Sequence, residues 1–168
     1  ILSHSALNLQ GEVCVTLEET RTEPVVHPQH VVTDKHLAVA TGTGSYADRH
    51  DEVWSEWQKG IAEVATCPNI TVKLGGMGMP RVGFGWWDRD IPIGSEELAE
   101  SMAPWMNYCI EQFGPNRCML ESNFPPDKVS FSYNIMYNAF KRMTQQYSAT
   151  ERAAMFHDTA ARVYNISV

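Results

Sequence analysis

The chain has 168 residues, with 13 Lys and Arg against 20 Asp and Glu, so its formal net charge is −7. Hydrophobic residues make up 43% of it and charged residues 20%, which suits one packed domain and argues against a disordered chain. The acidic balance argues against a nucleic-acid partner, because neutralising phosphates needs a basic face. No apolar run is long enough for a transmembrane helix, and no signal peptide is visible. We therefore expect a cytoplasmic protein with no membrane partner.

The four cysteines, at positions 14, 67, 109 and 118, form no CxxC pair. A structural zinc knuckle is therefore not expected. We expect free thiols that pack as small apolar side chains. A disulfide between Cys109 and Cys118 is the alternative that their closeness in sequence leaves open.

The first elements of the chain are the hardest to predict. In residues 1–35, short β-favouring segments such as Val31-Val32 alternate with polar and charged stretches, so we expect an irregular or atypical N-terminal segment. Regular elements begin at residue 36. The apolar run Leu37–Ala40 is typical of a strand, and residues 48–66 have the three-to-four-residue apolar spacing of a helix.

The pattern then continues as a strand over residues 69–74, a long loop, and a helix that Ser95 is expected to cap. Pro104 should kink or split that helix, which ends at Gly114. A third strand over residues 117–121 follows.

The last predicted elements are helical. A helix is expected over residues 130–147, and Ser148 with Glu151 has the spacing of a capping box for the final one. The alternation of strands and helices predicts a parallel sheet with right-handed connections. Ligands of such sheets bind at the carboxyl ends of the strands.

Three sequence blocks carry a resemblance to a known family. They are NITVKLGGMGMP (69–80), FGPNRCMLESNFPPDK (113–128) and FHDTAARVYNI (156–166). In these blocks the chain resembles the amidohydrolase-related proteins (amidohydrolase family 2), which are TIM-barrel hydrolases that include sugar lactonases and dicarboxylate lactone hydrolases. The resemblance implies an α/β fold in which residues 36–168 form the C-terminal part of a (β/α)8 TIM barrel. A complete barrel takes about 250 residues.

The resemblance also implies a role for His36. In the family, a strand near the sixth position ends in a His, a Gly-rich turn follows, and a Tyr comes at the interval that separates His36 from Tyr46 here. His36 is thus a candidate catalytic residue that stabilises an oxyanion, or a candidate metal ligand; the alternative is a surface or core His at a strand edge with no role in the reaction. The family's His-x-His pair is absent from the sequence, and its usual turn after the His is not matched. The expected cofactor is therefore either a divalent metal such as zinc, as in the metal-dependent hydrolase superfamily, or none.

The resemblance makes residues 69–74 the seventh strand and residues 117–121 the eighth. The superfamily commonly has an Asp after the eighth strand, where this chain has Asn123. An amide is no general base, so Asn123 would orient water or bind a substrate oxygen; the alternative is that it caps the turn before Pro125. Glu121 alternates with Asn123 and is the ionisable candidate for base catalysis.

Asp127 is expected to cap the next helix. Lys73 lies inside an apolar strand, where it would meet an anionic substrate or pair with a neighbouring acid.

The loop Gly75–Gly94 is long for a strand-to-helix connection, which indicates a lid or binding loop. Its candidate substrate-binding residues are Met77, Trp86 and Trp87 as apolar walls, with Arg81 for a carboxylate. The alternative is that the aromatic residues pack the loop onto the barrel or a partner subunit.

These expectations combine into a hydrolase that opens a lactone or a related cyclic ester or amide by attack of an activated water, provided that the full barrel is present. Its partner would be a small-molecule substrate, and self-association to a homo-oligomer is a further expectation. The alternative is a catalytically inactive barrel fragment that serves as a scaffold or interaction protein.

Overall fold

A computed structural model of the chain describes residues 29–32, 50–82 and 84–167. Its centre is a three-stranded sheet of β1 (Gln29–Val32), β2 (Ile70–Leu74) and β3 (Cys118–Leu120), in that order. Both pairings are parallel, with Val31 opposite Val72 and Val72 opposite Cys118. The predicted parallel sheet is confirmed.

Helices connect and cover these strands. They are α1 (His50–Ala65), α2 (Ser95–Phe113), α3 (Tyr133–Met143), α4 (Ala149–Ala153) and α5 (Thr159–Val163), with a π-helical turn, Ala154–Asp158, between the last two. α1 lies between β1 and β2 in the chain, and α2 connects β2 to β3, so the predicted alternation of strands and helices is confirmed from α1 onward. In the described part of the chain, the helices are all too short or too polar to cross a lipid bilayer.

The first strand differs from the prediction. The residues that pair with β2 are Gln29–Val32, within the segment expected to be irregular. The two valines of this strand have the β-branched side chains that favour extended backbone. The run Leu37–Ala40, which the pattern indicated as the strand, lies outside the described residues.

The two faces of the sheet have different surroundings. Ile70, Val72 and Leu74 of β2 are buried in the hydrophobic core together with residues of α1 and α2. Because side chains alternate along a strand, Thr71 and Lys73 project from the opposite face. The face away from the helices is therefore the one that carries polar groups.

Helix α2 differs from the prediction at two points. Gly94 is its N-cap residue, without a side-chain cap, so the prediction that Ser95 caps the helix is wrong. Pro104 lies inside a continuous α2 rather than splitting it. Pro104 is on the exposed side of the helix, where water can solvate the carbonyl group that loses its N–H partner.

Side-chain caps begin the next two helices, and α3 is shorter than the helix predicted over residues 130–147. Ser148 and Glu151 form the predicted capping box, with both hydrogen bonds present. Helix α3 begins after Ser132, whose side chain accepts from the N–H of Ile135. Local side-chain chemistry therefore decides where these two helices start.

The cysteines in the described part of the chain are free thiols. They are Cys67, Cys109 and Cys118, so the disulfide alternative is wrong for the last two; Cys14 lies outside the described residues. Burial raises the pKa of the Cys109 thiol to about 12, and burial likewise raises that of Cys118. Both thiols are therefore protonated and unreactive near neutral pH, as expected of packed side chains.

Arg117 connects three elements at the amino-terminal end of the sheet. Its side chain donates to four backbone carbonyls, those of Ala65 (2.9 Å), Cys67 (2.8 Å), Ile70 (3.4 Å) and Phe113 (3.0 Å). These carbonyls belong to the ends of α1 and α2 and to the start of β2. The planar guanidinium can reach them together because its donors point in several directions.

The change Arg117→Lys is expected to destabilise the protein by about 1–2 kcal/mol, because a single ammonium cannot replace all of these hydrogen bonds and leaves carbonyls unsatisfied. Urea unfolding followed by circular dichroism measures the loss. The control is Arg142→Lys, at an exposed side chain with one hydrogen bond to Ser95, for which a change within about 0.5 kcal/mol is expected. Equal losses in the two variants would contradict the role assigned to Arg117.

Candidate active site

The carboxyl ends of β2 and β3 lie side by side, because the two strands are parallel neighbours. The N–H of Glu121 donates to the carbonyl of Leu74 at 3.0 Å, which extends the ladder one residue past β3. Gly75 follows β2, and a side chain there would come within 3.0 Å of backbone atoms of Glu121. The backbones of the two strand ends therefore approach as closely as glycine allows.

An ion pair spans the two strands at this edge. The ammonium of Lys73 contacts the carboxylate of Glu121, and the two side chains are 27% and 19% exposed. Of the alternatives for Lys73, the pairing with a neighbouring acid is confirmed. The pair places a carboxylate able to accept a proton beside a cation able to stabilise negative charge.

Asn123 lies two residues further along. Its backbone has a φ of 44°, in the left-handed region, which Asn tolerates better than most residues. Its Nδ2 donates to Oδ1 of Asp127 at 2.8 Å, so its side chain contacts Asp127 rather than capping the turn before Pro125. The N–H of Phe124 in that turn donates to the hydroxyl of Ser122 instead, at 3.3 Å.

Asp127 is the residue whose place differs most from expectation. The prediction that it caps the next helix is wrong, because Ser132 caps α3 and the side chain of Asp127 is turned inward, 1% exposed. Asp127 packs against Gly78, where an added Cβ would lie 2.8 Å from Cβ of Asp127. The hydroxyl of Ser130 donates to the carbonyl of Gly78. The loops that follow β2 and β3 are thus packed together at the edge that carries the candidate site.

Two tyrosines of α3 border the site, and sequence reasoning missed them. The rings of Tyr133 and Tyr137 have centroids 4.6 Å apart, and Phe124 meets Tyr133 edge to face at 5.3 Å. Burial raises the pKa of Tyr137 to about 12, with further contributions from its hydrogen bond with Tyr133 and from the charges of Tyr133 and Glu121. Tyr137 is therefore a hydrogen-bond donor at neutral pH and not a base. Its spacing of four residues from Tyr133, one helical turn, was the available signal.

The candidate residues of the Gly75–Gly94 loop separate into two groups. Met77 and Trp86 are only 2% and 6% exposed, and Trp86 stacks on Phe84 with centroids 4.2 Å apart. Their burial favours the alternative in which they pack the loop onto the body of the protein. Trp87 is 50% exposed and is available for contact with a ligand. The side chain of Arg81 lies outside the described part of the chain.

The remaining candidate, His36, lies outside the described residues, although it follows β1 in the chain. Among the residues that the structure describes, no three His, Cys, Asp or Glu side chains come together to hold a metal ion. Among the described residues, this edge offers the amide of Asn123 and two carboxyl groups, of which Glu121 is paired with Lys73 and Asp127 is hydrogen-bonded to Asn123. This donor set does not fit a divalent cation, which needs several free oxygen or nitrogen ligands.

Most of the chain matches one protein family. The amidohydrolase family (Amidohydro_2) matches residues 35–166. The chain belongs to the amidohydrolase family. The predicted resemblance is thereby confirmed, and the matched stretch begins within one residue of the predicted start at residue 36.

Curated relatives share modest identity with the chain. An uncharacterised protein, y4mH of Sinorhizobium fredii, is 38% identical over 110 residues, which are 66% of this chain and 33% of that protein. The L-fucono-1,5-lactonase of Burkholderia multivorans is 29% identical over 136 residues, 78% of this chain and 44% of the enzyme. The L-rhamnono-gamma-lactonase of Scheffersomyces stipitis is 23% identical over 116 residues, 66% of this chain and 33% of the enzyme. The chain thus spans 33% to 44% of the lengths of these relatives.

Solved structures of an amidohydrolase from Burkholderia multivorans are similar in fold. One, with bound HEPES, gives a TM-score of 0.66 at 24% identity and covers 82% of this chain and 44% of that one. A second crystal form with bound zinc gives 0.64 at 23% identity and the same coverage. The fold of this chain is therefore similar to part of the fold of that amidohydrolase.

Proposed function

We propose that the protein is a hydrolase that opens a lactone, or a related cyclic ester or amide, with an activated water. The proposal includes a (β/α)8 barrel whose C-terminal part is formed by residues 36–168 together with β1, which precedes them. The parallel order of the described strands and the fold shared with amidohydrolases support the barrel. The two lactonases among the relatives support a lactone as the substrate.

The observation that carries this proposal is the ion pair of Lys73 and Glu121 at the carboxyl edge of the sheet. In barrels of parallel strands, catalytic residues project from this edge. In the proposed reaction, Glu121 takes a proton from water as the water oxygen attacks the lactone carbonyl carbon. The ring C–O bond then breaks, and protonated Glu121 returns the proton to the leaving oxygen. The product is an open-chain hydroxy acid.

The neighbours of Glu121 have supporting roles in this proposal. The ammonium of Lys73 would stabilise the negative oxygen of the tetrahedral intermediate, and Asn123 would orient the attacking water. His36 is proposed as a second contact to the oxyanion. Trp87 would form an apolar wall, and Arg81 would bind a carboxylate on the substrate.

A panel of sugar lactones tests the proposed function. L-fuconolactone, L-rhamnonolactone and simple five- and six-membered lactones are opened in weak buffer, and proton release is followed with a pH indicator after subtraction of spontaneous opening. We expect turnover of at least one sugar lactone. The same assay after EDTA and after addition of zinc tests metal dependence directly. A folded protein that opens none of the panel under either condition would contradict the proposal and favour the scaffold alternative.

A further inference from the structure

The side chain of Asp127 holds the amide of Asn123 in one orientation. The Nδ2 of Asn123 donates to Oδ1 of Asp127 at 2.8 Å, so the NH2 half of the amide faces the carboxyl group. The carbonyl half then points away from Asp127. No residue in the described part of the chain donates to that carbonyl oxygen, which leaves it able to accept from water or substrate.

Asp127 is itself held firmly. Its backbone carbonyl accepts from the N–H groups of Ser130 (3.0 Å) and Phe131 (3.3 Å), and its own N–H donates to the carbonyl of Asn123 at 3.2 Å. Gly78 packs so closely against Asp127 that a Cβ added at Gly78 would lie 2.8 Å from the Cβ of Asp127. A carboxylate that is fixed through its backbone and its packing can fix the group to which it is bonded.

The contact also explains the amide at position 123. A carboxylate there would face the carboxylate of Asp127 at hydrogen-bond distance, and two such groups cannot both be ionised without a large cost. An amide supplies the N–H that Asp127 needs. The residue types at positions 123 and 127 therefore depend on each other.

We infer that Asp127 is a positioning residue, which orients the Asn123 amide toward the attacking water. This inference rests on the proposed function, since it concerns the same site. In this inference Asp127 does not contact the reacting atoms and acts through its hydrogen bond with Asn123. Its contribution should therefore appear in kcat more than in KM.

The test compares Asp127→Leu, which removes the acceptor at similar size, with Asp127→Asn, which retains an acceptor oxygen. For the best lactone of the panel, Asp127→Leu is expected to lower kcat by about 10–100-fold with KM changed by less than about threefold. Asp127→Asn is expected to recover about tenfold of that loss. The control Asp158→Leu, at an exposed side chain, should not change kcat. Equal losses in the two Asp127 variants, or none, would overturn the inference.

A second measurement does not need activity. The side-chain amide signals of Asn123, recorded by nitrogen-15 NMR, should move when Asp127 becomes Leu, because the hydrogen bond is lost.

If Asp127→Leu fails to fold, the exchanged pair Asn123→Asp with Asp127→Asn replaces it. Asn123→Asp alone should lower Tm, and the second change should restore at least half of the loss. Failure to restore would overturn the coupling, whereas an inactive wild type with intact coupling would overturn only the proposed function.

Discussion

Replacing Glu121 with Gln is expected to lower kcat for lactone opening by about 10²–10⁴-fold, which is the usual contribution of a general base. Gln has nearly the same shape as Glu and can still accept a hydrogen bond from Lys73, so the fold should be retained. The amide, however, cannot take the proton from water. Steady-state kinetics on the best substrate, with circular dichroism to verify folding, measures this effect.

The matched control for this variant is Glu56→Gln. Glu56 is also paired with a lysine, Lys59, at 2.7 Å, but the pair lies on the exposed surface of α1. Losing an exposed ion pair costs little stability. Because Glu56 also lies outside the candidate site, kcat should stay within about twofold of the wild type. A folded Glu121→Gln protein with wild-type kcat would remove Glu121 from the reaction and leave Asn123 and His36 as the candidates.

The parts of the fold that followed from sequence are those in which one local pattern decides the outcome. The apolar spacing of residues 48–66 predicted α1, which occupies His50–Ala65. The capping box of Ser148 and Glu151 fixed the start of α4. In each case the deciding pattern is a spacing of three or four residues along one helix, which the sequence shows directly.

The parts that did not follow depend on contacts between distant segments. Asp127 has the residue type and position of a helix cap. It is nevertheless buried, in contact with Gly78 of the loop after β2, and this contact between distant segments is not visible in the local sequence. Trp86 resembled the wall of a pocket, but it is 6% exposed and belongs to the hydrophobic core, against which Phe84 packs. In the candidate site, the alternation of residues along β3 identified Glu121, and a neighbouring acid was foreseen for Lys73. The identity of that acid required the pairing of β2 with β3.

The largest effect on stability is expected at Gly75, where the two strand ends meet. In Gly75→Ala the new Cβ would overlap backbone atoms of Glu121, and backbone in a sheet cannot move away as a flexible side chain could. We expect a loss of about 2–3 kcal/mol in the free energy of unfolding, as is typical of overpacking at a closely packed site. Urea unfolding measures this loss. The accompanying shift of Glu121 away from Lys73 should also lower kcat in the lactone assay.

The control for Gly75→Ala is Gly94→Ala. Gly94 has a φ of −84°, which any residue can adopt, and no heavy atom lies within 4 Å of its added Cβ. Its substitution should therefore cost less than about 1 kcal/mol, the range for an alanine at an N-cap position. If the two variants were equally stable, the ends of β2 and β3 would have to be further apart than the Gly75–Glu121 contact requires. The carboxylate of Glu121 would then not be held against Lys73, and the arrangement that supports base catalysis would be lost with it.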